Sequence, residues 1–136
     1  MTEDNKRRNI ADELRRADES MRSAEALLGL GLHADSVSRS YYAVLHFIRA
    51  LLLSLGLEAK SHSGVVHLFH GEMVRPGNFP AVHNRALAAL QRSREFADYD
   101  AAVDFTRPDA EASLADARAF AVDAMKVLRS TGHVAI

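Results

Sequence analysis

The sequence of 136 residues is 48% hydrophobic and 26% charged, a composition typical of one folded domain spanning residues 1–136. Its net charge of −1 gives no overall attraction to nucleic acid, so an RNA site would have to be a local group of basic residues. The absence of cysteine excludes disulfides, thiolate metal sites and cysteine nucleophiles. No apolar run reaches the roughly 18–20 residues of a membrane span, and the charged residues 2–8 lack a signal-peptide core. We therefore expect a cytoplasmic protein without membrane association.

The first half of the chain predicts two long helices. Over residues 3–28, apolar side chains recur at alternating intervals of four and three, and Thr2 is a suitable N-cap. A second helix is predicted from residue 35 or 36 to 55, where Gly56 ends it. This helix is apolar over most of its circumference, which predicts a central place in a helical bundle.

The second half predicts three further helices and no strand. Residues 63–74 form a short helix, the prolines and glycine of 75–80 indicate a loop, and 81–97 form the fourth helix. Residues 98–107 carry no clear pattern. A last helix is predicted over Pro108–Leu128, because proline is tolerated in the first turn. No segment alternates with a period of two, so the predicted fold is an all-α, up-and-down bundle of four to five helices.

One face of the second helix carries the side chains with useful chemistry. Arg39, Tyr42, His46 and Arg49 follow at spacings of three, four and three, so they form one stripe along the helix, here called the polar stripe. Apolar residues are predicted to line the opposite side: Val37, Tyr41, Val44, Ile48, Leu52 and Leu55. The polar stripe thus places guanidinium groups, an imidazole and a phenol on a face that the core does not need.

Three sequence blocks together resemble a known family. They are Ser38–His46, Lys60–Gly64 and Arg94–Tyr99, and they resemble the signature blocks of a small bacterial and archaeal branch of the HEPN proteins. The resemblance implies an all-α bundle of four to five helices that forms a homodimer. Many members resemble toxins encoded beside a minimal nucleotidyltransferase, and the active ones are metal-independent ribonucleases. A toxin–antitoxin pair with a nucleotidyltransferase antitoxin as partner and RNA as substrate is therefore expected.

The resemblance also implies a catalytic pair. The family motif is an arginine, four to six further residues and a histidine, and Arg39 and His46 match it with six residues between them. A neutral imidazole suits the base that takes the 2′-hydroxyl proton, and a guanidinium suits the charge that gathers on phosphorus. The two lie about 10 Å apart along the helix axis, so either the arginine bends back or a partner subunit's copy contributes to the site. The residues expected to bind substrate beside this pair are Tyr42, Arg49, Lys60 and His62.

A second interpretation of the polar stripe remains open. In it, Arg39 pairs with an acidic residue on a neighbouring helix and His46 is a buried, hydrogen-bonded linker. The chain is then a non-catalytic module that binds a nucleotide or a partner and homodimerises. Ser40 and Ile48 favour this interpretation, because active members of the family often carry other residues at these positions.

Several other polar residues also have structural interpretations. Ser61 or Ser63 is a natural N-cap for the third helix. Arg94 and Tyr99 are expected to tie the end of the fourth helix to the bundle through Asp98 or a backbone carbonyl. Tyr42 is expected to stack on a base or to bond to His46. No metal or other cofactor is expected, since no ordered zinc ligand set is supplied by His67, His70, Glu72 and His83.

Overall fold

The computed structural model describes residues 2–135, apart from the side chain of His62. The α-helices of this part of the chain are α1 (Glu3–Gly29), α2 (His33–Ser54), α3 (His62–Phe69), α4 (Asn84–Tyr99) and α5 (Arg107–Ser130). A π-helical turn, His70–Val74, continues α3, and a 3₁₀ turn, Ala81–His83, leads into α4. No strand occurs between residues 2 and 135. The predicted all-α bundle is confirmed.

The helix ends follow from local hydrogen bonding. Thr2 caps α1 as predicted, its hydroxyl accepting from the Asn5 amide at 3.1 Å, and Ser61 caps α3 in the same way. Helix α2 begins at His33, two or three residues earlier than predicted. The reason is the turn before it, where Gly31 adopts a φ of +78° and the Leu32 amide bonds back to a carbonyl of α1.

Helix α2 is the centre of the bundle. It packs against α1, α3, α4 and α5, and α1 and α4 lie on either side of its polar stripe. The predicted apolar side is correct at five positions that are at most 1% exposed: Val37, Tyr41, Val44, Ile48 and Leu52. It is wrong at Leu55, which is 46% exposed, because α2 ends at Ser54 and the chain turns outward at Gly56.

Helices α1 and α4 run antiparallel to α2, and this decides which residues meet the polar stripe. Ser36 near the start of α2 bonds to the Ala24 carbonyl, while His46 further along bonds to Glu13 nearer the start of α1. The end of α4 lies beside the first half of α2, where Ser38 contacts Asp98. The first half of the polar stripe therefore faces α4, and the second half faces α1.

The start of α5 yields a test of the fold. The Thr106 hydroxyl accepts from the Asp109 amide at 3.3 Å and the Asp109 carboxylate accepts from the Thr106 amide at 2.9 Å, which is a capping box. Thr106→Ala should lower the free energy of unfolding by about 1 kcal/mol, as measured by urea denaturation. Thr106→Ser, which keeps the hydroxyl, is the matched control and should stay near the wild-type value. Equal stability of the alanine variant and the wild type would contradict the capping role.

Candidate functional site

The second half of the polar stripe contains a histidine held by a carboxylate. His46 Nδ1 lies 2.7 Å from Glu13 Oε2, and the two side chains are 27% and 24% exposed. An ionised carboxylate only accepts hydrogen bonds, so Nδ1 carries the proton and the lone pair of the neutral ring lies on Nε2. His46 is hydrogen-bonded, as the linker interpretation requires, but it is not buried. Its ring is oriented and accessible, which is the arrangement of a general base.

Arg39, in the first half, makes no ion pair. Its guanidinium lies over the Tyr42 ring, 5.0 Å from the centroid, and the residue is exposed. Among residues 2–135 no carboxylate pairs with it, so the interpretation that Arg39 pairs with an acid on a neighbouring helix is wrong for the described part of the chain. Arg39 is held only by the aromatic face and remains available to a phosphate.

Arg39 and His46 do not converge within one chain. His46 follows Arg39 by seven positions along α2, which is about 10 Å at 1.5 Å per residue. The imidazole is drawn to Glu13 on α1, while the guanidinium stacks on Tyr42 near the end of α4. One subunit therefore presents the base and the cation at two ends of a stripe, each held by a different neighbouring helix.

Asp98 at the end of α4 fixes the first half of the polar stripe. Its Oδ1 accepts from the Ser38 hydroxyl at 2.5 Å, and its Oδ2 accepts from the Tyr42 hydroxyl at 3.1 Å. Arg94 Nη1 lies 3.8 Å from the same Oδ2. The expected bond between Tyr42 and His46 is thus replaced by one to Asp98, because the antiparallel course of α4 brings this carboxylate beside the start of α2.

Arg94 is the buried cation of this group. It is only 9% exposed, and its guanidinium lies 5.0 Å from the Tyr41 ring centroid and 6.0 Å from that of Tyr99. The predicted tie between the end of α4 and the bundle is therefore present, with Arg94 and Asp98 as its members. Tyr99 covers the outer side of Arg94 and is itself 79% exposed.

Arg49 and Lys60 lie together in a groove. The groove has a volume of about 580 Å³ and runs between α1, the last turns of α2 and the segment after α2. Arg49 is half-buried, its Nε is buried, and no hydrogen-bond partner for that atom exists among the described residues. Lys60 is exposed on the rim, and Glu13 forms part of the wall. The fourth predicted substrate-binding side chain, that of His62, lies outside the description.

Glu13 was not among the residues predicted to form the site, although the sequence contains a signal for it. Helices α1 and α2 form an antiparallel hairpin around the turn at residues 30–32, so residues at equal distances from that turn face each other. Glu13 and His46 lie 17 and 16 residues from Leu30 on either side. The hairpin register, rather than any local motif, identifies the carboxylate that orients the histidine.

Among residues 2–135, no three histidine or acidic side chains are grouped so that they could hold a metal ion. His83 instead pairs with Asp123, with Nε2 and Oδ2 2.7 Å apart, and is 9% exposed. Within the same range, no helix is both long and apolar enough to cross a membrane.

Tyr42 of the polar stripe and the adjacent Tyr41 both have raised pKa values. Burial raises the pKa of Tyr42 above 10.0, and the charge and hydrogen bond of Asp98 raise it further; burial also raises the pKa of Tyr41. A phenol with a raised folded-state pKa contributes stability that is fully present below its unfolded value. That stability is lost as the pH rises through the folded value, so the fold should weaken above about pH 10.

Asp98→Asn should lower the pKa of the Tyr42 phenol, because the charge that opposes its ionisation is removed. Tyrosinate absorbance during an alkaline titration measures this, in a Tyr99→Phe background that leaves Tyr41 and Tyr42 as the only tyrosines. Asp104→Asn, an exposed carboxylate in the segment before α5, is the control with the same charge change. Identical titration curves for the two variants would show that Asp98 does not act on Tyr42.

Comparison with known proteins identifies the family to which the chain belongs. The family model described as HEPN domain matches residues 10–126. The UPF0332 protein glr0978 of Gloeobacter violaceus is 37% identical over 118 residues, covering 86% of this chain and 94% of its own. A Methanocaldococcus jannaschii protein named "Putative toxin MJ0605" is 34% identical over 110 residues, which are 81% of each chain. The crystal structure of TT1696 from Thermus thermophilus shares the fold, with a TM-score of 0.77 at 23% identity over 88% of this chain and 98% of that one. The resemblance seen in the sequence is confirmed, and the chain belongs to the HEPN domain family.

Proposed function

We propose that this protein is the toxin-type subunit of a toxin–antitoxin pair and that it cleaves RNA without a metal ion. Membership of the HEPN domain family and the likeness to the Methanocaldococcus jannaschii protein whose name calls it a toxin support this. The observation that carries the proposal is the His46–Glu13 pair, an accessible imidazole with one nitrogen held at 2.7 Å by a carboxylate. A minimal nucleotidyltransferase is the antitoxin partner that the family resemblance implies.

His46 is proposed to act as a general base, while the 2′-oxygen of the RNA attacks the neighbouring phosphate of its own backbone. Nε2 takes the proton of a 2′-hydroxyl, and that oxygen forms a bond to the neighbouring phosphorus. The bond from phosphorus to the 5′-oxygen breaks, the leaving oxygen takes a proton from water, and the imidazolium returns its proton to the solvent. The products are a 2′,3′-cyclic phosphate and a 5′-hydroxyl end. Glu13 keeps the ring in the tautomer that can accept the first proton and stabilises the imidazolium that forms.

Arg39 is proposed to hold the charge on phosphorus, and this requires a second subunit. Within one chain it lies about 10 Å from His46 along the helix, too far to share one phosphate. A two-fold homodimer built on the polar stripe would bring the Arg39 of one subunit towards the His46 of the other. The exposed aromatic side chain of Tyr99, 79% exposed, lies near Tyr42 at the Arg39 end and favours an interface there.

The catalytic proposal is tested with fluorescently labelled single-stranded RNA. His46→Ala should lower the cleavage rate by about 10²–10⁴, the usual contribution of a general base. Arg39→Lys should lower it by about 10²–10³, because an ammonium cannot reproduce the forked contact to phosphate. EDTA should leave the wild-type rate unchanged.

The matched control is His67→Ala, because His67 is an exposed histidine on α3 away from the polar stripe. It should cleave like the wild type. Both histidine variants should melt close to the wild type, since a partly exposed ion pair is worth less than about 1 kcal/mol. If the wild type cuts no RNA and His46→Ala lowers the melting temperature sharply, the pair is structural and the non-catalytic module is the correct interpretation.

Sedimentation tests the proposed dimer. At micromolar concentration the wild type should sediment as twice the chain mass of 14.9 kDa. Tyr99→Asp should shift it towards monomer, because a charge replaces an exposed aromatic ring at the proposed interface. Val122→Asp introduces the same charge on α5, at a side chain that is 56% exposed, and should leave the dimer intact. A wild-type monomer, or equal behaviour of the two variants, would contradict an interface at the Arg39 end.

A further inference from the structure

The groove beside His46 contains Arg49, whose guanidinium forms no ion pair with any described residue. Among the described residues, the buried Nε of Arg49 also has no acceptor. A buried charged donor without a partner is costly, and native proteins keep such groups mainly where they serve binding or catalysis. Arg49 is therefore better explained as a ligand-binding group than as part of the packing.

The groove contains a second cation beside Arg49 and three carboxylates. Lys60 on the rim makes no ion pair with any described residue. Of the carboxylates on the α1 wall, Asp12 is paired with Arg15 at 3.0 Å and Glu13 with His46 at 2.7 Å. Because His46 is neutral, Glu13 keeps its negative charge, and Arg49 and Lys60 face Glu13 and Glu58, of which Glu58 has no partner among the described residues.

The remaining surface of the groove suits the rest of a nucleotide. Leu52, Leu53 and Leu57 contribute apolar surface next to the two cations. The volume of about 580 Å³ lies within the range of about 300–1,000 Å³ that is usual for small-molecule sites. The Glu58 carboxylate can accept a hydrogen bond from a base amino group, and it disfavours a second phosphate in the same groove.

We propose that this groove is a subsite for one nucleotide of single-stranded RNA, in which Arg49 and Lys60 bind the phosphate next to the one that is cleaved. This inference rests on the proposed function, in which His46 is the general base. Arg49 follows His46 by three residues, about 4.5 Å along α2. Glu13 both orients His46 and lines the groove. A strand lying along α2 thus passes from the base at His46 directly into the groove, with the nucleoside against the leucines.

Binding is tested separately from cleavage with a fluorescein-labelled 2′-O-methyl hexaadenylate, which lacks the attacking hydroxyl. Fluorescence anisotropy over a range of salt concentrations gives the affinity and its salt dependence. Arg49→Gln and Lys60→Gln should each weaken binding about tenfold, as expected for the loss of a charge-assisted hydrogen bond. Each should also reduce the slope of log K against log salt by about 0.7, the value for one phosphate contact to a single strand.

Two variants with the same charge change serve as controls. Arg92→Gln on α4 and Lys126→Gln on α5 alter exposed cations away from the groove and should bind like the wild type. Should Arg49→Gln and Lys60→Gln match these controls, the subsite is overturned. It is also overturned if the wild type does not bind the oligonucleotide. A third contrary result would be that Arg49→Gln and Lys60→Gln lose the dimer in sedimentation but keep their affinity for RNA. The groove would then be a contact between subunits.

The same variants separate this inference from the proposed function. If the wild type binds the modified RNA through Arg49 and Lys60 but cuts no unmodified RNA, the groove is a nucleotide site and the nuclease proposal fails. If the wild type cuts RNA through His46 while the groove variants bind and cleave like the controls, the nuclease proposal stands and the subsite fails.

Discussion

The burial of α2 among all the other helices constrains the rest of the molecule. Its apolar side forms the middle of the core, and residues such as Tyr41 and Ile48 are not exposed at all. On α2 itself, the polar stripe is the face whose side chains remain accessible. The polar stripe lies on the most buried helix of the domain, so its side chains are positioned by packing rather than by a flexible loop.

The two flanking helices give the two ends of the polar stripe different environments. On the α1 side, one carboxylate orients His46 and leaves the ring accessible, beside a groove in which Arg49 Nε has no partner among the described residues. On the α4 side, Asp98 gathers Ser38 and Tyr42 and lies near the buried Arg94. Asp98 holds the Tyr42 ring through a hydrogen bond, and the exposed guanidinium of Arg39 lies over that ring. Asp98 therefore supports Arg39 indirectly. Residues of α4 thus position Arg39 through Tyr42, while Glu13 of α1 orients the ring of His46.

The sequence predicted what depends on local or periodic signals. The helices, the caps at Thr2 and Ser61 and the buried side of α2 follow from side-chain spacing and hydrogen-bonding capacity, and the structure confirms them. Contacts between helices were harder to predict. The partner of His46 depends on the register of the α1–α2 hairpin, and the partner of Tyr42 depends on where α4 ends. Leu55 was misplaced because the apolar spacing continues one residue beyond the end of the helix.

The central claim is that His46 activates the 2′-hydroxyl of RNA, and the ends of the cleaved strands test it most directly. Mass spectrometry of a cleaved oligoribonucleotide should find 2′,3′-cyclic phosphate and 5′-hydroxyl ends, because the attacking oxygen belongs to the substrate. The protein should be compared with a His46→Ala preparation purified in parallel. Ends that carry a 5′-phosphate would contradict the account, since they require water as the nucleophile. The same products from the His46→Ala preparation would contradict it equally.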